Sequence, residues 1–157
     1  MRITVGDAVS VGAPLAVGGV GGVATVRSLD TWYRTLRKPA WNPPDAVFGP
    51  VWTTLYLLMG IALALSRRAA GPEARRRVEG VFGLQLALNL SWIFAFFSAR
   101  SARAAVVVII LLWAAIVATI VEFGRVHRLA ALLLLPYLAW VTFAAVLNLE
   151  ILRRNPR

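Results

Sequence analysis

Several residue types are scarce or absent in this chain of 157 residues. It has no cysteine, a single histidine and only seven acidic residues. Without cysteine there is no disulfide framework, no thiolate metal site and no cysteine nucleophile. One histidine argues against a zinc centre, because zinc sites combine several histidine and cysteine ligands. The sequence therefore predicts neither a metal site nor a required cofactor.

Charged residues are also few in comparison with hydrophobic residues. Charged residues make up 15% of the chain and hydrophobic residues 59%, and the mean hydropathy is +0.72. A soluble domain of this length cannot hide so much apolar surface from water, so a lipid bilayer is predicted to surround the chain. The 17 basic residues could indicate a nucleic-acid partner, but they fall in clusters between long apolar runs. They are interpreted as anchors that flank membrane spans, and no nucleic-acid partner is expected.

Five apolar runs are long enough to cross a membrane, which requires about 20 mostly apolar residues for a helix. The predicted spans are 8–26, 46–66, 78–97, 104–123 and 129–152. The first span is rich in glycine but lacks the compact apolar region and the cleavage site of a secretory signal, so a retained helix is predicted. The expected fold is all-α. It is a single domain over residues 1–157, forming an integral, multi-pass membrane bundle of five transmembrane helices.

The acidic residues lie near the predicted helix ends. Asp7, Glu122 and Glu150 are each within a turn or two of an end, whereas a proton-coupled transporter usually needs an acid deep in a span. Coupled antiport is therefore disfavoured. The basic residues divide eight to nine between the two ends of the bundle, so their distribution does not select an orientation in the membrane.

The first connection, residues 27–45, is the only long one. It contains Trp32-Tyr33 and then Lys38-Pro39-Ala40-Trp41-Asn42-Pro43-Pro44. Proline fixes its own φ and restricts the residue before it, so the segment 40–45 is predicted to be stiff and extended, with Trp41 held over the mouth of the bundle. Taken alone, the loop is best interpreted as an aromatic belt at the membrane interface.

Three predicted helices carry a stripe of aromatic and polar residues, because residues three or four apart share a helix face. The stripes are Trp52 and Tyr56 on the second helix; Gln85, Asn89, Trp92 and Phe96 on the third; and Tyr137, Trp140, Ala144 and Asn148 on the fifth. Amides are costly against lipid, so the three amides are predicted to face the bundle interior. Each amide taken singly is better explained by a hydrogen bond between helices.

If the stripes converge, they line an apolar slot with large π-faces and a few hydrogen-bond donors. Such a slot suits a flat, hydrophobic anion, because aromatic rings stack on planar ligands. Arg34, Arg37 or Lys38 could meet its carboxylates at the surface, although basic residues in such positions are more often interfacial anchors. Gly18 and Gly22 have a GxxxG spacing, for which packing inside the bundle is favoured over a homodimer.

Together, these motifs and their order resemble one known family. The Trp32-Tyr33 pair, the run from Lys38 to Pro44, Gln85-Leu86-Ala87-Leu88-Asn89-Leu90-Ser91-Trp92 and Pro136-Tyr137-Leu138-Ala139-Trp140 are similar to motifs of the TspO/translocator protein family. Its members are also called tryptophan-rich sensory or peripheral-type benzodiazepine receptor proteins. The likeness covers nearly the whole chain. It favours interpreting the stripes and the loop as the walls and lid of the family's ligand pocket.

The resemblance implies a ligand and a set of site residues. Family members bind porphyrins such as protoporphyrin IX, haem and benzodiazepine-type ligands, and bacterial members are linked to tetrapyrrole regulation and stress. The implied ligand-binding residues are Trp32, Trp41, Pro43, Trp52, Tyr56, Asn89, Trp92, Tyr137, Trp140, Ala144 and Asn148. Some members also bind sterols. The tyrosine of their sterol motif is missing from residues 147–153 here, which argues against carrying that property over.

Three functions are compatible with these features. The leading hypothesis is a membrane receptor or sensor for porphyrins, haem and similar flat lipophiles. The alternative is an enzyme that degrades porphyrin with light and oxygen, in which Trp52 and Trp140 match the tryptophans of members with that activity and are the hypothetical catalytic residues. The second alternative is a lipophile transporter. Bound haem is expected to lack histidine ligation, because His127 lies in a short basic segment between helices.

Overall fold

The computed structural model describes residues 4–29 and 31–156. Its helices are α1 (Val5–Leu29), α2 (Trp32–Thr35), α3 (Asp45–Ala69), α4 (Pro72–Ile93), α5 (Ala102–Val126), α6 (Arg128–Leu133) and α7 (Leu135–Arg154), with no strand in the described ranges. A π-helical turn, Phe94–Ser98, continues α4. Five segments are long and apolar enough to cross a membrane. The predicted all-α class and the five spans are therefore confirmed, and the chain is an integral, multi-pass membrane protein.

The observed spans are longer than the predicted ones, mainly at their charged ends. The second span continues through Arg67 and Arg68, and the third begins at Pro72, ahead of the arginines at 75–77. Arginine is a good helix former, and its long side chain can reach the polar interface while its backbone stays helical. Proline at the first helical position suits the start of α4, because its missing N–H has no partner there in any helix.

The fifth span consists of two helices, α6 and α7, separated at Leu134. The Leu134 N–H donates to the Ala131 carbonyl (3.1 Å), a bond one residue tighter than the α-helical pattern. Pro136 lies in the first turn of α7. Proline has no N–H and its ring clashes with the preceding turn, so Pro136 weakens the α-helical pattern here, whereas α1 and α3 continue through Pro14 and Pro50. The sequence pattern predicted one uninterrupted span here.

α1 packs against α3 at the N-terminal end of α1. A Cβ added at Gly60 would lie 2.6 Å from the Val11 Cα, so only glycine permits this approach. Nearby, the Arg68 guanidinium donates to both carboxylate oxygens of Asp7, at 2.8 Å from Nε and 2.5 Å from Nη2. This end of the helix pair is therefore closed by backbone contact and an ion pair.

The core lies between α3, α4, α5 and α7, while apolar side chains cover the outside. Met59, Leu112 and Phe123 are completely buried. By contrast, Leu84 and Val107 on neighbouring helices are more than half exposed. Exposed apolar side chains are expected on a membrane protein, because the surrounding hydrocarbon is as apolar as the side chains.

Candidate ligand-binding site

A cavity of about 490 Å³ lies between the C-terminal half of α1, the first half of α3 and the end of α4. Its lining is mostly apolar and aromatic, with a few polar groups near the start of α3. The lining residues are Leu15, Gly18, Gly19, Gly21, Gly22, Thr25, Val26, Asp45, Ala46, Phe48, Gly49, Trp52, Thr53, Tyr56, Trp92, Ile93 and Phe97. The cavity is at the opposite end of α1 from the Asp7–Arg68 ion pair.

Three predicted site residues form an aromatic wall of this cavity. The Trp52 and Tyr56 rings are stacked, with centroids 5.6 Å apart and an angle of 29° between their planes. Trp92 lies 5.9 Å from Trp52 at an angle of 34°. Trp52 and Tyr56 are one turn apart on α3, and Trp92 comes from the facing side of α4. The two helices thus contribute π-faces to one surface.

The glycines of α1 form a second wall of the cavity. A Cβ at Gly18 would be 2.5 Å from the Tyr56 ring, and a Cβ at Gly21 would be 2.5 Å from the Ile93 side chain. Gly19 and Gly22 also line the cavity, and a Cβ on either would meet no atom within 4 Å. The helix therefore approaches the aromatic wall closely while leaving open space beside it.

A chain of buried hydrogen bonds lies behind the aromatic wall. The Tyr56 hydroxyl donates to Asn89 Oδ1 (2.7 Å), and Asn89 Nδ2 donates to the Tyr137 hydroxyl (3.1 Å). The Tyr137 hydroxyl donates in turn to Gln85 Oε1 (2.9 Å). All four residues are at least 97% buried. These bonds tie α3, α4 and α7 together and fix the tilt of the Tyr56 ring at the cavity.

Replacing Asn89 with leucine should destabilise the bundle. Leucine has a similar size but leaves the Tyr56 hydroxyl without an acceptor and removes a donor to Tyr137. A buried polar group left without its partner costs about 1–3 kcal/mol. We expect a loss of stability of this size, measured by denaturant titration of the helical circular dichroism signal in detergent. Ser91→Ala is the matched control, because the exposed Ser91 hydroxyl bonds only to the Ala87 carbonyl of its own helix. Equal stability of the two variants would contradict the role assigned to the hydrogen-bond chain.

The first loop is folded against the bundle. The Tyr33 hydroxyl donates to Asn42 Oδ1 (2.9 Å), and Lys38 Nζ lies 4.1 Å from the centre of the Tyr33 ring. Burial raises the pKa of Tyr33 to about 12, although the Asn42 hydrogen bond acts in the opposite direction, so the hydroxyl stays protonated and available to donate. A turn at Ala40–Trp41 interrupts the predicted extended segment, because the Asn42 N–H donates to the Pro39 carbonyl (3.0 Å).

The two loop tryptophans lie on different parts of the bundle. Trp32 packs edge-on against Phe96, with centroids 5.2 Å apart. Trp41 is 47% exposed and packs against Phe143 (5.8 Å). Pro43 is half-buried in the same loop. None of these three predicted residues lies in the cavity lining given above.

The predicted residues of α7 lie behind the cavity. Trp140 is 6.0 Å from Phe48, a lining residue, and Tyr137 is 6.3 Å from Trp52. Ala144 and Asn148 are buried further along α7, where Asn148 Nδ2 donates to the Ala144 carbonyl (2.9 Å). Of the two hypothetical catalytic tryptophans, only Trp52 lines this cavity, while Trp140 lies in the next layer of side chains.

The cavity lining offers few groups that could hold an ion. Asp45, at the start of α3, is its one charged residue among those described. Within residues 4–29 and 31–156, no three histidine or acidic side chains form a group that could bind a metal ion. The basic residues that could meet the carboxylates of a ligand lie outside this lining: Arg34, Arg37 and Lys38. The arrangement can therefore bind through stacking, apolar contact and a few hydrogen bonds.

Sequence reasoning missed the glycine wall and two aromatic residues of the lining. The glycines of α1 were interpreted as a packing motif, and Phe48 and Phe97 were not considered as site residues. The available signal was the run of small residues at positions 18–22, which marks a helix face without side chains. That pattern indicates close helix approach equally well, so the sequence could not distinguish packing from a cavity wall.

The fold and the site together define a class of protein: a bundle of five membrane-spanning helices that encloses an aromatic cavity. The sequence pattern of the TspO/MBR family matches residues 10–154. The chain belongs to this family.

Relatives align over most of their length. The chain is 47% identical over 150 residues to tryptophan-rich protein TspO of Chlorobaculum tepidum, covering 95% of both chains. It is 44% identical over 126 residues to translocator protein of Homo sapiens, covering 79% of this chain and 75% of the relative. It is 38% identical over 126 residues to tryptophan-rich sensory protein of Cereibacter sphaeroides, covering 80% and 78%. These relationships support a membrane receptor or sensor role.

Proposed function

We propose that this chain binds porphyrins, such as protoporphyrin IX and haem, in the cavity and acts as their membrane receptor or sensor. The observation that carries the proposal is the wall of Trp52, Tyr56 and Trp92 beside the glycine surface of α1. Large π-faces favour stacking on a planar ligand. A mostly apolar cavity of about 490 Å³ falls within the usual range of small-molecule sites, about 300–1,000 Å³.

The polar groups of the cavity add to this argument. Trp92 is 95% buried, and its Nε1–H has no hydrogen-bond acceptor among the described residues. A buried donor without an acceptor costs about 1–3 kcal/mol. The Trp92 Nε1 atom has almost no accessible surface, so a ligand oxygen such as that of a porphyrin propionate would recover part of this cost only if the indole turned toward the cavity. Thr25 and Thr53 also line the cavity, where their hydroxyls donate to the Gly21 and Gly49 carbonyls (2.9 Å each) and keep their oxygens as acceptors.

A sensor also needs a connection between its ligand and the rest of the bundle. Tyr56 belongs to the cavity wall and to the hydrogen-bond chain through Asn89 to Tyr137. A ligand that moves the Tyr56 ring must therefore strain or rearrange bonds that hold α3, α4 and α7. This contact is the route by which occupancy would alter the helix packing in our proposal.

Quenching of tryptophan fluorescence by protoporphyrin IX, in detergent and in the dark, tests the proposal. We expect saturable quenching by the parent chain. Trp52→Leu should weaken the apparent affinity about tenfold, because an aromatic stacking contact contributes about 0.5–1.5 kcal/mol beyond its buried area. Trp113→Leu is the matched control, since Trp113 is 41% exposed on α5 and donates to Thr142 Oγ1 (2.9 Å) outside the cavity.

Two results would overturn the proposal. The first is quenching by the parent chain that rises linearly with porphyrin and never saturates. The second is an equal loss of affinity in the Trp52 and Trp113 variants, because the ligand would then be dissolving in the micelle or binding at the lipid-facing surface. Helical circular dichroism of each variant establishes that the bundle is intact.

The enzyme alternative is supported by the position of Trp52, whose indole lines the cavity next to where a porphyrin would bind. Its test is the same titration under illumination in the presence of oxygen, followed by absorption spectroscopy of the porphyrin. Trp52→Phe should prevent product formation while largely preserving binding. Trp140→Phe should have a smaller effect, because Trp140 lies behind Phe48. Porphyrin that stays unchanged in the light with the parent chain would exclude this activity and leave the receptor role.

A further inference from the structure

A second cleft, of about 630 Å³, lies at the same end of the bundle as the first loop. It is formed by three separate parts of the chain: the start of the first loop, the turn before α5 and the end of α7. The lining residues that matter here are Trp32, Arg37, Arg100, Arg103, Arg154 and Asn155. It shares no lining residue with the cavity between α1 and α3.

Four arginines from three segments surround this cleft. Arg154 Nε donates to Glu150 Oε1 (2.7 Å), and Arg103 Nη2 donates to the Pro156 carbonyl (3.3 Å). The guanidinium groups of Arg37 and Arg100 have no acidic partner in the described part of the chain. Among the residues that the structure describes, Glu150 is the one carboxylate that pairs with an arginine of this group, and Arg153 bonds to it as well. Like charges held around one cleft repel each other unless an anion lies between them.

The cleft has a defined shape, because hydrogen bonds join its walls. The Arg37 N–H donates to Asn155 Oδ1 (3.1 Å), and Asn155 Nδ2 donates back to the Arg37 carbonyl (3.1 Å). This reciprocal pair joins the first loop to the end of α7 across 118 residues of sequence. These two bonds hold the Arg37 backbone in place, so its side chain extends from a defined position in the cleft.

The backbone of the third wall also suits an anion. Arg100 has a φ of 54°, a left-handed conformation that is uncommon for residues other than glycine. This turn leads directly into α5, whose first residues, Ala102 and Arg103, line the cleft. The Ser101 hydroxyl caps the Ala104 N–H (3.2 Å), and the N–H groups of α5 that precede it carry partial positive charge. They add to the field of the arginines.

We propose that this cleft binds the phosphate group of an anionic ligand at the membrane surface. Guanidinium groups form paired, charge-assisted hydrogen bonds to phosphate oxygens, and their planar shape matches that geometry better than an ammonium group does. The cleft lies at the ends of spans, where phosphates of lipid headgroups and soluble phosphates are both present. The proposal does not depend on porphyrin binding.

Trp32 connects the cleft to the aromatic residues of the bundle and provides a signal. Its ring lines the cleft and packs 5.2 Å from Phe96, which stacks on Trp92 at 6.3 Å. Trp92 lines the other cavity. An anion that draws Arg37 and Arg100 together would change the surroundings of Trp32, so its fluorescence reports occupancy. Trp32→Phe identifies the part of the signal that comes from this residue.

The experiment uses the full chain in micelles of a detergent with a sugar headgroup, which carries no phosphate, titrated either with short-chain phosphatidic acid or with soluble pyrophosphate. We expect a saturable change in Trp32 fluorescence in at least one titration. Saturation by phosphatidic acid alone identifies a lipid headgroup as the source of the phosphate, and saturation by pyrophosphate identifies a soluble one. Both results support the site. The absence of saturation in both titrations would overturn it.

A charge-matched pair of double variants separates a site from general attraction of anions. Arg37→Gln with Arg100→Gln should weaken the apparent affinity at least about tenfold, because each hydrogen bond to a charged group contributes about 1.5–3 kcal/mol. The control is Arg76→Gln with Arg128→Gln, which removes the same charge from exposed positions at the opposite end of the bundle. Equal weakening by both pairs would mean that net charge alone attracts the ligand, and the proposed site would be wrong. Porphyrin titration of both double variants keeps this outcome separate from any failure of the first cavity.

Discussion

Replacing Gly60 with leucine should prevent the stable packing of α1 on α3. A Cβ at this position would lie 2.6 Å from the Val11 Cα and 3.1 Å from the Ser10 carbonyl oxygen. Both neighbours are backbone atoms, which cannot turn aside as a flexible side chain can. Overpacking of this kind costs about 1–3 kcal/mol and sometimes more. We expect Gly60→Ala to lower stability by about that amount and Gly60→Leu to lower it further, as measured by thermal unfolding in detergent.

Gly12→Ala is the control for this prediction. Gly12 is also a helical glycine of the α1–α3 pair, but a Cβ added there would meet no atom within 4 Å. Alanine is favoured over glycine inside a helix by about 1 kcal/mol, so this variant should be as stable as the parent or more so. Equal unfolding temperatures for Gly60→Ala and Gly12→Ala would contradict the close approach of α1 to α3 at Gly60.

Replacing Gly22 with phenylalanine should block the cavity without disturbing the fold. Gly22 lines the cavity, and a Cβ there would have no atom within 4 Å, so the new ring can enter the open space. A ligand would then have to share that space with the ring. Forced overpacking costs about 1–3 kcal/mol, so the affinity for protoporphyrin IX should fall about ten- to hundredfold. Fluorescence quenching in the dark measures this loss, which depends on the proposed porphyrin function.

Gly12→Phe separates cavity filling from a general effect on α1. Gly12 is exposed on the same helix and outside the cavity lining, so its phenylalanine variant should bind porphyrin as the parent does. Both variants should keep the parent's helical circular dichroism. Unchanged affinity in a well-folded Gly22→Phe protein would show that the porphyrin binds elsewhere, and the proposed function would then need a different site.

The five spans could be predicted because a membrane helix has a one-dimensional signature of length and apolar content. The helix ends were less predictable. Arg67 and Arg68 end the apolar run, yet α3 continues through them, because hydrophobicity and helical hydrogen bonding are separate properties. The break at Leu134 was missed for a related reason. Pro136 was present in the sequence, but proline in a span can produce a kink, a break or neither, depending on what packs beside it.

The aromatic and polar stripes could also be predicted, since residues three and four apart share a helix face. Periodicity placed Trp52 with Tyr56 and Asn89 with Trp92, and the structure has each pair on one helix face. It could not tell that the Trp52 face borders open space while the Trp140 face packs behind Phe48. That difference depends on the rotation and neighbours of each helix, which are set by contacts between distant parts of the chain.

The sequence by itself determined that this protein crosses the membrane five times and carries aromatic and polar residues on one face of each of three helices. Composition and helical periodicity are local properties, so they need no knowledge of the fold. The tertiary structure decided where the cavity lies, because a cavity is the space that the side chains of neighbouring helices leave unfilled. Only packing could turn the glycines of α1 into a wall, and only packing could bring Arg37, Arg100 and Arg154 around one cleft.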